Sequence, residues 1–211
     1  MIIGLVGFIG SGKDTAADYL VNYYGFRRDS FANSLKDAVS YVFGWDRTLL
    51  EGRTRESREW REQRDEWWST RLGLNITPRW VLQYWGTEVL RNHFHDDIWI
   101  ASLENRLRKT KDNIVISDVR FPNEIRSIHN SGGIVVRIKR GPDPEWYQDA
   151  VNVNAGPTNL SWTISKSKLE ELKIHASETS WIGIGIDHIL DNDSSIDHLF
   201  QKISMLVKNL D

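Results

Sequence analysis

Five apolar residues, Ile2 to Val6, run straight into the glycine-rich loop GFIGSGKDT, residues 7–15, and from there into the helical pattern DTAADYLVNYY. A strand that feeds a helix through such a loop leaves few folds open, because the strand needs cover on both faces and the helix must cross back over it. The alternation recurs. FRRDSFA reads as a short second strand before the helix NSLKDAVSYVFG, which stops at Gly44. NIVISDVR, with Ile114 to Ile116 as a buried parallel run, precedes the helix FPNEIRSIHNSGG. IVVRIKR and DHILDND are two further strands, and SIDHLFQKISMLVKNL sets Ile196, Leu199, Phe200, Ile203, Leu206 and Val207 on one face of a last helix. Ala16, Leu20 and Tyr23 mark the inward face of the first helix, which ends at Gly25. TPRWVLQYWGTEVLRNHF opens another helix with Thr77 as N-cap and Pro78 at the first helical position, and a further helix covers about 97–109. The expected class is α/β, three layers with a central, mostly parallel sheet flanked by helices.

The length of 211 residues suits one such domain. A net charge of −2 with 27% charged residues argues against bulk attraction to nucleic acid or to an acidic membrane surface. No apolar run approaches the roughly 18 residues of a membrane span, and MIIGLVGFIG has neither a basic leader nor a cleavage site, so a cytoplasmic protein is expected. Cysteine is absent, which excludes disulfides, thiolate zinc sites and cysteine nucleophiles. Of ten tryptophans, Trp60, Trp67, Trp68 and Trp80 lie close together, and packing in core and lid is the expectation. Arg53, Arg55 and Arg58 sit in a stretch dense in both charges, which reads as a solvated face or as a set of phosphate contacts. Residues 141–174 show weak periodicity and read as a long excursion that acts as a lid. Gly183 to Asp187 lacks the spacing of a dinucleotide fingerprint and reads as a tight turn; His93, His95, Asp96 and Asp97 lack a further ligand at zinc-site spacing.

The chemistry concentrates in the first loop. Gly7, Gly10 and Gly12 let successive backbone N–H groups turn inward around a phosphate, beside Ser11, and the helix N-terminus adds positive potential. Lys13 is placed to neutralise a polyphosphate. Asp14 stands where most such loops carry a metal-binding hydroxyl, and the nearest hydroxyl is Thr15, turned by about 100° on a helix. Asp14 is then an acceptor behind a hydrated metal or a favourable anion in the first helical turn. Asp118, at the end of an apolar strand, is the expected partner of hydrated Mg²⁺, and Arg120 brings a planar cation suited to a transferring phosphoryl group.

Taken in order from residue 2 to about 200, GSGKDT, SFANSLKDAV, LQYWGTEVLR, ISDVRFPNE, VVRIKR and HASET resemble the deoxynucleoside monophosphate kinases of bacteriophages. The resemblance implies a phosphate-loop kinase fold in a single domain, with an acceptor-binding helical insertion at about 46–95 and a lid-like excursion at about 141–175. It implies transfer of the γ-phosphoryl group of ATP, with Mg²⁺, to a deoxynucleoside 5′-monophosphate for phage DNA precursor synthesis, and explains Asp14 followed by Thr15. Residues Gly7 to Thr15 would hold ATP, with Arg140 near the donor; Asp118, with Thr15 through water, would organise the metal. Ser30, Phe31, Ala32 and Lys36 would border the acceptor, Arg79 would meet its phosphate, Gln83 or Trp85 its base, with Glu88 and Glu178 on the same side. Arg120 would bridge donor and acceptor. The implied partner is a deoxynucleotide rather than nucleic acid or membrane, and a homodimer is left open. A kinase of another phosphorylated small molecule, or a nucleic-acid-dependent ATPase, is the alternative.

Overall fold

The computed structural model describes residues 1–157 and 160–210; Thr158 and Asn159, which fall in the expected lid, lie outside the described residues. The elements are β1 (Ile2–Val6), α1 (Lys13–Tyr24), β2 (Arg27–Asp29), α2 (Asn33–Phe43), α3 (Arg55–Glu62), α4 (Glu66–Leu72), α5 (Pro78–Gln83), α6 (Ile98–Leu107), β3 (Ile114–Ile116), α7 (Pro122–Asn130), β4 (Ile134–Lys139), α8 (Tyr147–Asn154), α9 (Leu160–Glu171), α10 (Ala176–Thr179), β5 (His188–Asp191) and α11 (Ile196–Leu210). A short 3₁₀ turn spans Leu49–Glu51, and a π-helix, Tyr84–Asn92, continues α5. The strands form one sheet in the order β2-β3-β1-β4-β5, and every neighbouring pair is parallel, as the alternating pattern requires. Contacts divide the chain into two compact units, Met1–Ser30 with Arg106–Asp211, and Phe31–Asn105.

The first unit holds the sheet. Ile3, Leu5, Val115, Val136 and Ile138 pack against Ala16, Ala17 and Leu20 of α1 and against Leu199, Ile203, Leu206 and Val207 of α11. Each such side chain, fully buried, contributes about 1.5–3 kcal/mol. The inward stripe of α1 is continued by Tyr24, at i, i+3 and i+7 from Ala17, rather than by Tyr23, which is exposed and rests its ring on Tyr19. Asp29, at the end of β2, is buried and accepts from Arg106 Nε (3.0 Å), Arg106 Nη2 (2.9 Å) and the Ser30 backbone N–H (2.7 Å), so the edge strand ends in a satisfied ion pair.

Residues 141–174 are more regular than their periodicity suggests, because α8 and α9 face each other through polar pairs. Ser165 Oγ donates to Asp149 Oδ1 (2.9 Å), Asn152 Nδ2 donates to Ser165 Oγ (3.2 Å), and Lys168 Nζ lies 2.7 Å from Asp149 Oδ2. A contact made of serine, asparagine and aspartate leaves no apolar stripe to read. Gly183 to Asp187 is a turn that leads into β5.

The second unit packs Leu35, Val39, Trp45, Leu50, Ile76, Val81 and Trp99 into its own core, with Trp60, Trp68 and Trp85 around it. Trp45 Nε1 donates to Asp65 Oδ2 (2.7 Å) and Trp68 Nε1 to the Phe43 carbonyl (3.0 Å), so the buried indoles find acceptors. Two of the four clustered tryptophans depart from the core-packing expectation. Trp67 is exposed, and Trp80 is partly exposed and stacks on Tyr84 with centroids 5.0 Å apart. Thr77 caps α5 by accepting from Trp80 N (3.1 Å), with Pro78 next, as expected. The chain then widens into the π-helix. Within it Trp99 Nε1 donates to the Gly86 carbonyl (2.9 Å), and a Cβ on Gly86 would come 2.9 Å from Leu35 Cδ2. Gly86 therefore serves close packing inside this unit.

Candidate active site

In the first unit the phosphate-loop residues, Asp118 and Arg120 lie at the carboxyl end of the parallel strands. Asp118 follows two residues after Ile116, the last residue of β3, which pairs with Gly4, and Arg137 of β4 pairs with Val6 on the other side of β1. Such an edge is where open α/β sheets bind ligands.

The loop is fixed by backbone geometry that only glycine adopts without strain. Gly7 and Gly12 hold φ of 140° and 102°; a Cβ on Gly7 would lie 2.4 Å from the Ile138 carbonyl oxygen, and one on Gly12 would lie 2.5 Å from Asn192 Nδ2. Asn192, just beyond β5, donates to the Ser11 carbonyl (2.9 Å). Nothing in the sequence marks Asn192 as a loop partner, because Ser11 follows β1 and Asn192 follows β5, far apart along the chain.

Lys13 Nζ turns back over the loop and donates to the carbonyls of Gly7 (2.6 Å) and Phe8 (2.8 Å). Burial and then the Arg120 cation lower its pKa to about 8, against the opposing pull of Asp14 and Glu178. Ser11 Oγ is buried and finds no hydrogen-bond partner among the described residues. An ammonium with spare donor capacity, an unsatisfied hydroxyl and a glycine backbone form a set that fits an anion with many oxygens. Asp14 points away into solvent beside Arg28, with Oδ1 3.5 Å from Nη1, and Asp18 shares the same guanidinium at 3.3 Å. That geometry agrees with an anion in the first turn of α1.

Arg120 is held on two sides. Its backbone N–H and that of Phe121 donate to Glu124 Oε2 at 2.7 and 3.1 Å, and Glu124 is buried two places after Pro122, so its carboxylate closes the turn that starts α7. Its guanidinium donates through Nη1 to Glu178 Oε1 (2.9 Å), which comes from the short helix α10. The DVRFPNE and HASE motifs thus meet. Arg140 lies just past β4 and is exposed.

The second unit carries most of the expected acceptor residues. Phe31 is buried, Ala32 caps α2, and Lys36 Nζ donates to Glu51 Oε2 (2.8 Å), a carboxylate that Arg47 also grips. Arg79, in the first turn of α5, is 3.3 Å from Glu62 Oε1. Gln83 and Glu88 are exposed, with Glu88 Oε2 accepting from Asn92 (2.9 Å), and Trp85 packs its ring 5.4 Å from Phe43. Ser30 belongs to the first unit, where its carbonyl accepts from Arg106 Nη2 (2.9 Å).

A cation that the sequence did not single out stands in this unit. Arg61 lies against Gly52, where a Cβ would come 2.1 Å from Nη2, and its Nε is buried without a hydrogen-bond partner among the described residues. Burial, and then the neighbouring Arg79 and Arg58, lower its pKa, with Glu62 pulling the other way. Glu62, 3.3 Å from Arg79, offsets part of this charge. Arg53, Arg55 and Arg58 are exposed, and Arg55 is 3.3 Å from Glu59. Among the described residues no three His, Asp or Glu side chains converge as a metal cage, and no helix is long and apolar enough to cross a membrane.

No family model matches the chain. It is 35% identical over 154 residues to a protein of Acanthamoeba polyphaga mimivirus described as "Putative deoxynucleotide monophosphate kinase", a match covering 66% of this chain and 74% of that protein. The deoxynucleoside-5′-monophosphate kinase of Escherichia phage T5 is 27% identical over 226 aligned positions, 83% of this chain and 86% of the phage protein. Among solved structures, the dephospho-CoA kinase of Campylobacter jejuni is 15% identical with a TM-score of 0.47, covering 99% of this chain and 96% of its own. With 74% of the mimivirus protein matched at 35% identity, the chain belongs to the deoxynucleoside monophosphate kinase family.

Proposed function

We infer that the protein transfers the γ-phosphoryl group of ATP, bound with Mg²⁺, to the 5′-phosphate of a deoxynucleoside monophosphate. The observation that carries this reading is the loop of residues 7–15, with the Lys13 ammonium folded over its carbonyls and Arg120 beside it. Backbone N–H groups of the loop, Ser11 Oγ and Lys13 Nζ bind the donor phosphates, with Arg140 at the rim. Asp118, with Thr15 through water, would hold the metal, which would supply positive charge to the phosphates.

The acceptor phosphate is largely dianionic at neutral pH, its second pKa being about 6, so no side chain has to act as a general base. One acceptor oxygen bonds to the γ-phosphorus as the bond to the β–γ bridging oxygen breaks, and ADP leaves. Arg120 spreads its charge over the transferring group. On the second unit Arg79 and Arg61 are the acceptor's cations, with Lys36 on α2 at the border of its pocket, while Gln83 or Trp85 meets the base and Glu88 lies on the same side. Residues 46–95 act as the acceptor-binding insertion, and residues 141–175 exclude water as a lid, so that ATP is not hydrolysed.

A panel of deoxynucleoside monophosphates, ribonucleotides and DNA, assayed for ADP release, tests the assignment. ADP release is expected with deoxynucleoside monophosphates and not with DNA. ATP consumption that needs DNA and ignores every monophosphate overturns it.

A pH dependence follows from Lys13. Donor binding requires the ammonium, so affinity is constant below a pKa of about 8 and falls above it. One unit above the midpoint it is about tenfold weaker. Calorimetric titration of ATP between pH 7.5 and 9.5 reads this directly, and Lys13→Arg is expected to abolish the fall.

A further inference from the structure

We propose that Arg137 is a positioning residue for phosphoryl transfer: buried in a cage of Phe8, Tyr147 and Trp181, it locks the phosphate loop to the segment that carries Arg120's counter-ion. The proposal rests on the reading that the loop holds the donor triphosphate.

Arg137 is only 3% exposed, in the middle of β4, an unusual place for a cation. Its guanidinium carbon lies 4.8 Å from the Tyr147 ring centroid, 5.3 Å from that of Trp181 and 5.8 Å from that of Phe8. Nη1 donates to Tyr147 Oη (2.8 Å), Nη2 pairs with Asp143, and Nε is buried without a partner among the described residues. Around it, Phe8 meets Trp181 edge to face at 5.1 Å and Trp146 at 5.6 Å.

Phe8 is the second residue of the phosphate loop. Its carbonyl accepts from Lys13 Nζ (2.8 Å) and from Ser11 N (3.2 Å), so the ring that the cage holds is attached to the backbone that sets the lysine. Trp181 stands three residues after Glu178, the partner of Arg120 Nη1 at 2.9 Å. Asn154 of α8 pins that stretch by donating to the carbonyls of Thr179 and Ile182, both at 2.8 Å. One buried cation therefore joins the lysine side and the arginine side of the site.

Packing alone does not call for a charge here. A buried ion pair replaced by an apolar group of similar volume is often neutral or stabilising, whereas the directional pairs with Asp143 and Tyr147 fix where the rings sit.

The test compares Arg137→Met, Tyr147→Phe and Phe8→Leu with the parent by steady-state kinetics against each substrate, ATP calorimetry from pH 7.5 to 9.5, and melting temperature. Arg137→Met is expected to raise the ATP KM about tenfold and the acceptor KM less than twofold. Tyr147→Phe should do the same in smaller measure, about threefold. A melting temperature that falls with ATP KM unchanged overturns the proposal, since the cage is then scaffold only. If Arg137→Met does not fold, Tyr147→Phe and Phe8→Leu decide it, and unchanged ATP KM in both overturns it. A parent protein that binds no ATP sinks instead the donor-site reading.

Discussion

Lys13→Ala is expected to lower kcat/KM about a thousandfold while leaving the melting temperature within a few degrees of the parent's. The size follows from the removal of one preorganised cation from a phosphoryl-transfer site, which costs factors of roughly 10² to 10⁵. The stability side is a matter of sign. Burial and Arg120 set the folded pKa of Lys13 at about 8, below the 10.5 of the unfolded chain. The folded protein thus disfavours the ammonium, and Lys13 detracts from stability below pH 8; that penalty fades as pH rises from 8 to 10.5. Alanine removes the penalty together with the two hydrogen bonds to the Gly7 and Phe8 carbonyls. The two changes oppose each other. Thermal melts at pH 7.5 and pH 9.5 with assays on the same samples make the check. Full turnover in the variant would remove the loop from the mechanism, and a large loss of melting temperature would make Lys13 part of the scaffold.

The parallel sheet was legible because β1, β3 and the start of β4 are apolar runs and the first two helices have marked ends, as Ile114 to Ile116 and the glycine stops at Gly25 and Gly44 illustrate. The loop was legible because its function needs glycines at fixed spacing. What escaped depends on contacts between distant segments. Asn192 reaches Ser11 across the sheet, and Arg137 draws Phe8 together with Trp181. Neither leaves a local pattern. The α8–α9 pair escaped because Asp149, Asn152 and Ser165 replace the apolar stripe that periodicity detects. Arg61 was hidden in a run of exposed charges, and only its burial against Gly52 separates it from Arg53, Arg55 and Arg58.

Arg120→Ala is expected to lower kcat by about 10² to 10³ while changing ATP affinity at pH 7.5 less than threefold. In the resting protein Glu178 neutralises part of the guanidinium's charge through the 2.9 Å contact with Nη1, which limits what Arg120 adds to ground-state binding. Its fork is most useful as charge spreads over the oxygens of the transferring group, an interaction that exists only in the transition state. A second readout reports the coupling of Arg120 to Lys13. After burial, Arg120 is the main influence holding the Lys13 pKa down at about 8. Its removal lets that pKa rise, helped by Glu178, which then acts on Lys13 unopposed. The alkaline fall in ATP affinity moves upward, and the variant keeps more of its affinity at pH 9 than the parent does. A KM effect that dominates assigns Arg120 to ATP binding and leaves the transition-state charge to Lys13 and the metal.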